Sequence, residues 1–464
     1  MKILLVNPPT YDPYSEVGAD MPPLGLAYIA AVLKNDDFDV EIVDKNVETG
    51  PIKYSNYSIV GISSLTPTYP EALKIAEEAK KSGATTVMGG YHATFLDEEV
   101  LNTGLIDYVV RGEGEYVFRD LVRHIAQKKP VEEVKGISYR SKGRIVRTPD
   151  ALPPDPIDDL PFPARELLKL DRYHTHLNEM PMTTMITSRG CPFNCFFCAS
   201  SLFGGRKWRA RSPRSVVDEV EQLKYDYGYK AVDFMDDNFT LSPERTIGIC
   251  EEMIRRKLNV SWWALSRADT IVRNEDMVKK MAEAGAYMLF IGMESPDPTV
   301  LKFYHKREGK EVFTKAVKLL KKYGIRVWAS FMMGAVSETK KMIDKTIYFA
   351  RKLNIDAAQF SILTPYPGTA LYHYVKDRIF VKDWSLFDGM HSVFKTDYLT
   401  PKDLRYLTFK AYTLFYLRPV WFTKEIFRAI KNRRLFWTLR NYPWKLLKLT
   451  RRFLSSIYSS NTLK

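Results

Sequence analysis

The segment MTTMITSRGCPFNCFFC, residues 182–198, decides how the rest of the sequence is interpreted. Its first seven residues are apolar or β-favouring, and they predict a buried strand. A Ser-Arg-Gly turn, residues 188–190, then leads into three cysteines with the spacing CxxxCxxC, namely Cys191, Cys195 and Cys198. Thiolates are soft ligands that suit zinc and iron–sulfur centres. Three of them on one loop after a strand therefore indicate a metal or cluster site.

The type of centre is constrained by the other ligands that the chain offers. A closed structural zinc site needs four protein ligands, and the nearest further candidates are His174, His176 and Cys250. Cys250 lies within PERTIGICEEMIRRK, a predicted helix, where a single cysteine is most often a small buried hydrophobe. Zinc is therefore the weaker interpretation, and an iron–sulfur centre is the stronger one.

Five further apolar runs follow the strand that leads into the cysteines. They are AVDFMDD, SWWALSR, MLFIGMES, VWASFMMG and AAQFSILTP, and helix-like stretches such as SPRSVVDEVEQLKYDYG separate them. Six β/α units over residues 181–375 predict a partial (β/α)6 barrel of the TIM type. Chemistry in such barrels gathers at the carboxyl ends of the strands. The cysteine loop follows the first of these ends.

Residues 1–150 contain an earlier β/α alternation. The runs KILLVN, DVEIVD, SIVGISS, TTVMGG and DYVVRGE alternate with helical patterns such as PLGLAYIAAVLK. They predict a Rossmann-like parallel sheet with helices on both faces, whose ligands bind at the carboxyl ends of the strands. The irregular residues at those ends predict a ligand cleft: Asn7-Pro8-Pro9, Ser63-Ser64, Gly89-Gly90-Tyr91-His92 and Gly112-Glu113-Gly114-Glu115.

The segment between the two series predicts a domain boundary. ALPPDPIDDLPFPAR is rich in Pro and Asp, and we place a linker over residues 151–180. The chain is 45% hydrophobic and 27% charged, an ordinary globular composition. Its four cysteines do not follow a disulfide framework, and the apolar run of MKILLVNPP is too short for a signal peptide. We therefore expect a cytoplasmic protein.

The cysteine motif after the first strand of a partial barrel resembles that of the radical S-adenosylmethionine enzymes. In that family three thiolates hold a four-iron four-sulfur cluster and leave one iron for S-adenosylmethionine, which is cleaved by an electron from a donor such as ferredoxin or flavodoxin. The resemblance implies that Cys191, Cys195 and Cys198 hold the cluster and that Phe197 lies near the adenine. It implies further contacts to S-adenosylmethionine at later strand ends, where structural ion pairs are the alternative: Asp236, Asn238, Arg267 and Glu294. No catalytic residue beyond the cluster is assigned.

One segment departs from the pattern of that family. FMMGAVSET, residues 331–339, stands where the family usually has a Gly-Leu-Pro-Gly-Glu-Thr turn, and it keeps only Gly334, Glu338 and Thr339. The following ILTPYPGT, residues 362–369, fits the usual pattern. The role of the first segment is therefore open.

The first domain resembles the cobalamin-binding module that precedes many of these barrels, through VNPP, PPLGLAYIAA, GGYHAT and RGEGE. Many such modules carry a DxHxxG loop whose histidine coordinates cobalt, and this sequence lacks it. The resemblance leaves two options, cobalamin bound without a protein ligand to cobalt or a fold kept without the cofactor, and we expect binding. Transfer RNA methylthiolases are disfavoured, because their first domain supplies three cysteines and no cysteine precedes Cys191 here. The implied cobalamin contacts are Asn7, Ser63, Ser64, Gly89, Gly90, His92 and Thr94.

Residues 376–464 predict a helical C-terminal region with a basic, aromatic tail. Residues 401–464 hold fifteen Lys and Arg against two acidic residues, so they carry nearly all of the net charge of +14, and they include fourteen aromatic residues. No stretch reaches the roughly 18 apolar residues that span a bilayer. The pattern favours docking on the inner face of the membrane. A helical cap on the barrel is the alternative, and nucleic-acid binding is not expected.

The resemblance and the basic tail together predict an enzyme that uses a radical to methylate, cyclise or couple an unactivated carbon of a hydrophobic substrate, a membrane lipid, isoprenoid or porphyrin-like molecule. Enzymes with the layout that the resemblance describes include hopanoid methylases, archaeal lipid ring-forming enzymes and the anaerobic cyclase of bacteriochlorophyll synthesis. Two alternatives stay open: a peptide or soluble natural product as the substrate, and a cluster-binding protein without turnover.

Overall fold

The computed structural model describes residues 1–10 and 21–418. These residues form two seven-stranded sheets, one after the other along the chain. The first sheet has the order β2-β1-β3-β4-β5-β6-β7, with β1 to β5 parallel and β6 and β7 added antiparallel. Its strands are β1 (Lys2–Asn7), β2 (Asp39–Asp44), β3 (Ile59–Ser63), β4 (Thr85–Gly89), β5 (Tyr108–Val110), β6 (Ile137–Ser141) and β7 (Arg144–Arg147).

Helices cover both faces of this sheet. They are α1 (Leu24–Lys34), α2 (Tyr69–Lys81), α3 (Tyr91–Phe95), α4 (Asp97–Asn102) and α5 (Glu115–Gln127). Successive residues of β1 point to opposite faces, so Ile3 and Leu5 pack with α1 and α5, whereas Leu4 and Val6 pack with α2. The predicted parallel sheet with helices on both faces is confirmed.

The second sheet is an open barrel with the order β16-β15-β14-β13-β12-β9-β8, and its six longer strands are parallel. Its strands, and the β10–β11 ribbon beside it, are β8 (His176–Leu177), β9 (Met180–Met185), β10 (Ser188–Arg189), β11 (Arg209–Ala210), β12 (Ala231–Phe234), β13 (Ser261–Ser266), β14 (Ala286–Glu294), β15 (Arg326–Met333) and β16 (Ala357–Ile362). The predicted six β/α units are therefore confirmed.

The helices of the barrel region are α6 (Ser200–Phe203), α7 (Pro213–Tyr225), α8 (Pro243–Arg255), α9 (Ala268–Arg273), α10 (Glu275–Glu283), α11 (Pro298–Phe303), α12 (Lys310–Lys322), α13 (Lys340–Lys352), α14 (Ala370–Val375) and α15 (Pro401–Tyr416). Alternate residues of the strands are fully buried against helices on the convex face. The residues between them are half-buried and form the concave face of the barrel.

The last described helix covers the free edge of the barrel sheet. The hydroxyl of Tyr416 in α15 accepts a hydrogen bond from the Ala358 N–H (3.2 Å) and donates one to the Ala358 carbonyl (2.9 Å). The Tyr412 hydroxyl accepts another from the Phe360 N–H (3.1 Å). Edge strands have unpaired backbone groups, and these two tyrosines satisfy three of them on β16. The start of the basic tail is thus a cap, and residues 419–464 lie outside the described residues.

The linker is anchored by a buried ion network. Arg165 is 1% exposed, pairs with Glu219 (2.9 Å) and donates to the Thr184 carbonyl of β9 (2.7 Å). Arg211 pairs with the same Glu219. The predicted domain boundaries at residues 150, 180 and 375 stay predictions. No helix of the described ranges is both long and apolar enough to cross a bilayer.

Candidate functional site

A single buried carboxylate fixes the strand end that leads into the cysteines. The Asp236 side chain, 1% exposed, accepts hydrogen bonds from the N–H groups of Thr187 (2.6 Å) and Ser188 (3.0 Å). It also accepts from both of their hydroxyl groups, at 2.5 and 2.6 Å. Four donors occupy this side chain, so the structure places Asp236 as an anchor for β10.

Gly190 makes the turn between this anchor and the cysteines. Its φ is +80°, and a Cβ there would lie 2.5 Å from the Lys207 carbonyl oxygen and 2.8 Å from that of Gly205. Only glycine fits such a close approach with a left-handed backbone.

The cysteine loop is held from the far side of the barrel. The Phe196 N–H donates to the Tyr304 carbonyl (3.1 Å), and the Phe196 carbonyl accepts from the Leu371 N–H (3.0 Å). Cys191, Cys195 and Cys198 are all half-buried. Burial raises the pKa of the Cys191 thiol to about 11 and also raises that of Cys195. The thiols therefore need a cation to ionise at neutral pH.

The donor set fits a cluster better than a single ion. Within residues 1–10 and 21–418, no three His, Cys, Asp or Glu side chains converge as one metal ion would require. Cys250 is a residue of α8 and is fully buried in the core of the barrel. Three thiolates on one loop suit an iron–sulfur core, which spreads its ligands over several iron atoms.

Two neighbouring residues after β12 differ sharply in their surroundings. Asn238 is 2% exposed, and its amide nitrogen has no hydrogen-bond partner among the described residues. Asp237 faces the cavity between the domains, and burial raises the pKa of its carboxyl group, which the Ser200 hydroxyl partly offsets. Both groups are available to a ligand.

Glu294 ends β14 in an unusual backbone conformation. Its φ is +61°, and the pairing register with β15 shifts between Gly292 and Glu294. A Cβ at Gly292 would lie 2.5 Å from a carboxylate oxygen of Glu294. Such strain in a residue other than glycine is typical of functional sites.

Charged side chains surround Glu294 and Arg267. The Lys306 ammonium contacts Glu294 (3.0 Å) and the Gly292 carbonyl oxygen. Arg267 pairs with Glu308 (3.0 Å) and Asp269 (3.1 Å). The sequence analysis missed Lys306 and Glu308, which lie in the turn between α11 and α12.

Phe197 lies at a second, smaller cavity of about 180 Å³. Its ring contacts that of Tyr304 edge-on, with 5.3 Å between centroids. The cavity is also lined by polar groups that follow or end β16, among them Gln359, Ser361 and Thr364. An aromatic wall with amide and hydroxyl groups suits a flat heterocycle.

A cavity of about 400 Å³ lies between the first sheet and the cysteine loop. On the barrel side it is lined by residues next to the cysteines, from Ser188 to Gly190, and by Met235, which is 48% exposed. The first domain contributes six glycines, Gly25, Gly61, Gly89, Gly90, Gly112 and Gly114. A Cβ at Gly25 or Gly112 would meet nothing within 4 Å. Bare backbone with apolar walls fits a large, flat cofactor with an amide rim, as cobalamin is.

The seven residues expected to contact cobalamin divide into two groups. Asn7, Ser63, Gly89 and Gly90 line the cavity. Ser64, His92 and Thr94 are not part of its lining. The Ser64 carbonyl accepts from the His92 N–H (3.1 Å), and the Thr94 hydroxyl accepts from the Gly112 N–H (3.0 Å).

His92 packs instead between Tyr69 of α2 and Trp384, which follows the barrel strands. Its ring is fully buried, stacks on Tyr69 with 3.9 Å between centroids, and meets the edge of Trp384 at 5.1 Å. Burial lowers its pKa to about 3, so the ring is neutral. No histidine of the described ranges lines the cavity.

An ion cluster joins the two domains beside this cavity. Arg189 pairs with Glu113 (2.8 Å) and Glu115 (2.7 Å), and Arg209 also pairs with Glu113. All four side chains are at most 12% exposed. Burial opposes the charge of Arg189, but Glu115 and Glu113 outweigh it and raise the pKa of Arg189 above its usual range.

Two family models match the chain, the B12 binding domain over residues 14–122 and the radical SAM superfamily over residues 185–350. An uncharacterised methyltransferase of Pyrococcus horikoshii is 38% identical over 440 residues, 92% of this chain and 95% of the relative. The anaerobic magnesium-protoporphyrin IX monomethyl ester cyclase of Rubrivivax gelatinosus is 30% identical over 94% of this chain and 81% of its own length. The hopanoid C-3 methylase of Methylococcus capsulatus is 26% identical over 85% and 76%.

Solved structures show the same fold. The radical S-adenosylmethionine methyltransferase TsrM from Kitasatospora setae, with cobalamin and a [4Fe-4S] cluster bound, has a TM-score of 0.69 at 19% identity, over 81% of this chain and 78% of that one. The cobalamin-dependent S-adenosylmethionine radical enzyme OxsB has a TM-score of 0.72 at 18% identity, over 93% and 71%.

We expect the three loop cysteines to be necessary for iron uptake and Cys250 to be dispensable. After anaerobic reconstitution with iron and sulfide, changing Cys191, Cys195 or Cys198 to Ala should remove most of the bound iron, measured per chain. Cys250→Ala should retain it, because that thiol is buried in the core. Equal iron in the loop variants and the wild type would exclude a thiolate-held cluster.

We also expect Asp236→Asn to lower the midpoint of thermal unfolding and the iron content. An amide cannot accept four hydrogen bonds, so buried donors lose partners at a cost of about 1–3 kcal/mol each.

The matched control is Asp233→Asn in β12, three residues before Asp236. Burial and Asp236 raise the pKa of Asp233 well above 3.8, and its oxygens have no hydrogen-bond partner among the described residues. A carboxyl group of this kind destabilises the fold as pH rises above 3.8, so Asp233→Asn should stabilise at neutral pH and not in acid. A destabilised Asp233→Asn would contradict this account of the strand.

Proposed function

The chain belongs to the radical S-adenosylmethionine superfamily, in the group whose barrel follows a B12-binding domain, and we propose that it methylates an unactivated carbon of a bulky apolar substrate. It is an enzyme whose cofactors are a four-iron four-sulfur cluster, S-adenosylmethionine and cobalamin. One observation carries the proposal of methyl transfer. The cavity of about 400 Å³ is lined both by Gly89 and Gly90 of the first sheet and by Ser188–Gly190, which lead into Cys191, so a cofactor held by the first sheet would lie next to the cysteine loop.

We assign the cofactor contacts as follows. Cys191, Cys195 and Cys198 would hold the cluster. Asn7, Ser63, Gly89 and Gly90 would hold cobalamin, and Phe197, Asn238, Arg267 and Glu294 would hold S-adenosylmethionine. When bound, the cluster and S-adenosylmethionine supply a radical that removes a hydrogen atom, and cobalamin supplies the methyl group. Asp236 does not contact a ligand in this assignment, because its oxygens already accept four hydrogen bonds.

The concave face of the barrel supports an apolar substrate. Half-buried side chains of β13, β14 and β15 line it, and their rings contact one another: Trp263 and Trp328 are 5.5 Å apart, and Phe290 and Trp328 are 5.1 Å apart. Asp237 has no ion-pair partner among the described residues and faces the cavity. A substrate with an apolar body and one hydrogen-bond donor fits this surface best. A lipid or isoprenoid has this character.

We further propose that the enzyme docks on the inner face of the membrane to reach such a substrate. Residues 419–464 hold eleven Lys and Arg, one acidic residue and nine aromatic residues. Each basic residue near an anionic surface contributes about 1 kcal/mol. A ferredoxin or flavodoxin would supply the electron.

Ring closure is the second candidate function. It is favoured by the 30% identity to the magnesium-protoporphyrin cyclase, and it needs the same radical without the methyl group.

The reaction test separates the two functions. Reconstituted enzyme is reduced with dithionite anaerobically, with S-adenosylmethionine and with or without hydroxocobalamin, and the products are separated by chromatography. Methyl transfer predicts deoxyadenosine in both cases and S-adenosylhomocysteine only with the cobalamin. Deoxyadenosine alone in both cases would favour ring closure, and neither product from a fully loaded enzyme would contradict radical chemistry.

Flotation with liposomes tests membrane docking. We expect the wild-type chain to float with vesicles that contain anionic lipid at physiological salt. Changing six Lys or Arg residues within 419–464 to Gln should abolish flotation, because the attraction depends on their charge. Six exposed lysines of α12 and α13 changed to Gln are the matched control and should not. Wild-type protein that stays in the bottom fraction would reject the docking proposal.

A further inference from the structure

Five buried charges lie behind the cysteine loop, and ligand binding alone does not require all of them. They are Arg267, Asp269, Glu294, Lys306 and Glu308. The side chains of Lys306 and Glu294 are 7% and 8% exposed, and that of Glu308 is 1% exposed. Removing charges from water costs free energy. A buried cluster of charges is therefore a candidate for a functional role.

This charge cluster touches the cysteine loop from two sides. The Arg267 guanidinium lies over the ring of Phe193, 3.8 Å from its centroid. On the other side, the Tyr304 carbonyl accepts the Phe196 N–H (3.1 Å), and the His305 ring lies 5.0 Å from that of Phe196. Lys306 is the next residue of that turn. The loop therefore lies between Arg267 on one side and the turn that carries Lys306 on the other.

The charge cluster and the cysteine loop are joined by these contacts, so the charges must act on any electron density that the loop cysteines hold. A positive charge in a low-dielectric site stabilises an added electron, and a negative charge opposes it.

We propose that Lys306 is a redox-tuning residue, whose buried ammonium raises the reduction potential of the cluster while Glu294 lowers it. The step concerned is the transfer of one electron from a low-potential one-electron donor to the oxidised cluster, which gains one negative charge. Lys306 acts through space and through its pairing with Glu294, not as a ligand. The proposal rests on the assignment of the cluster to the three cysteines.

The test is a potentiometric titration of the reconstituted full chain without S-adenosylmethionine, followed by electron paramagnetic resonance of the reduced cluster. Lys306→Met should make the potential more negative, and Glu294→Gln should make it more positive. The double variant should lie close to the wild type. We expect each single change to alter the ratio of reduced to oxidised cluster on the order of tenfold at fixed potential, which is 59 mV for a one-electron couple.

The matched control is Lys302→Met, which removes the same charge from an exposed position in α11. It should leave the potential unchanged. If Lys306→Met fails to load iron whereas the double variant loads it, the reduction potentials of Glu294→Gln and of the double variant are compared, because these two proteins differ only at Lys306. The potential of the double variant must then be the more negative of the two.

Two results would overturn the proposal. One is an unchanged potential in a fully loaded Lys306→Met protein. The other is a shift of both single variants in the same direction, which indicates solvent entry and not charge. A wild-type chain that takes up no iron contradicts the cluster assignment itself, so the two failures are distinguishable.

Discussion

The ion cluster of Glu113 and Glu115 with Arg189 and Arg209 is the contact on which the rest of the site depends. Arg189 lies two residues before Cys191, so the first domain binds the barrel next to the metal ligands. Breaking one partner would leave a buried charge uncompensated, which typically costs about 3–5 kcal/mol. The ion cluster therefore fixes the orientation of the first domain relative to the barrel, and the cavity between them keeps its shape.

The GGYHATF segment, residues 89–95, shows how one stretch of chain does two things. Its two glycines line the cavity with bare backbone. Tyr91 also lines the cavity and stacks on Phe203 with 4.1 Å between centroids, whereas His92 meets the edge of Trp384. Gly368 packs so tightly on Phe95 that a Cβ there would overlap the ring. The segment aligns the cavity surface with the barrel because the two glycines directly precede the short helix α3, which carries the aromatic residues.

The strand series and the cysteine loop could be predicted from the sequence because both depend on local patterns. Alternating β-rich and helical runs specify a parallel sheet, and close spacing brings three thiolates together without any long-range contact. The anchor role of Asp236, the pairing of Lys306 with Glu294 and the burial of His92 depend on partners far away in the chain. A polar residue at a strand end looks the same in sequence whether it faces a ligand, a backbone amide or another domain. Only the fold separates these cases.

In the C-terminal region too, the amino-acid composition alone does not reveal what the aromatic residues do. Tyr412 and Tyr416 count among its aromatic residues, yet they satisfy the backbone of β16 and cover an edge that would otherwise pair with other chains. The barrel therefore explains three of the aromatic residues of 401–418, Tyr412, Phe415 and Tyr416, whereas Tyr406 is 63% exposed. The case for membrane docking rests instead on residues 419–464, where eleven of the fifteen basic residues lie and only one acidic residue offsets them.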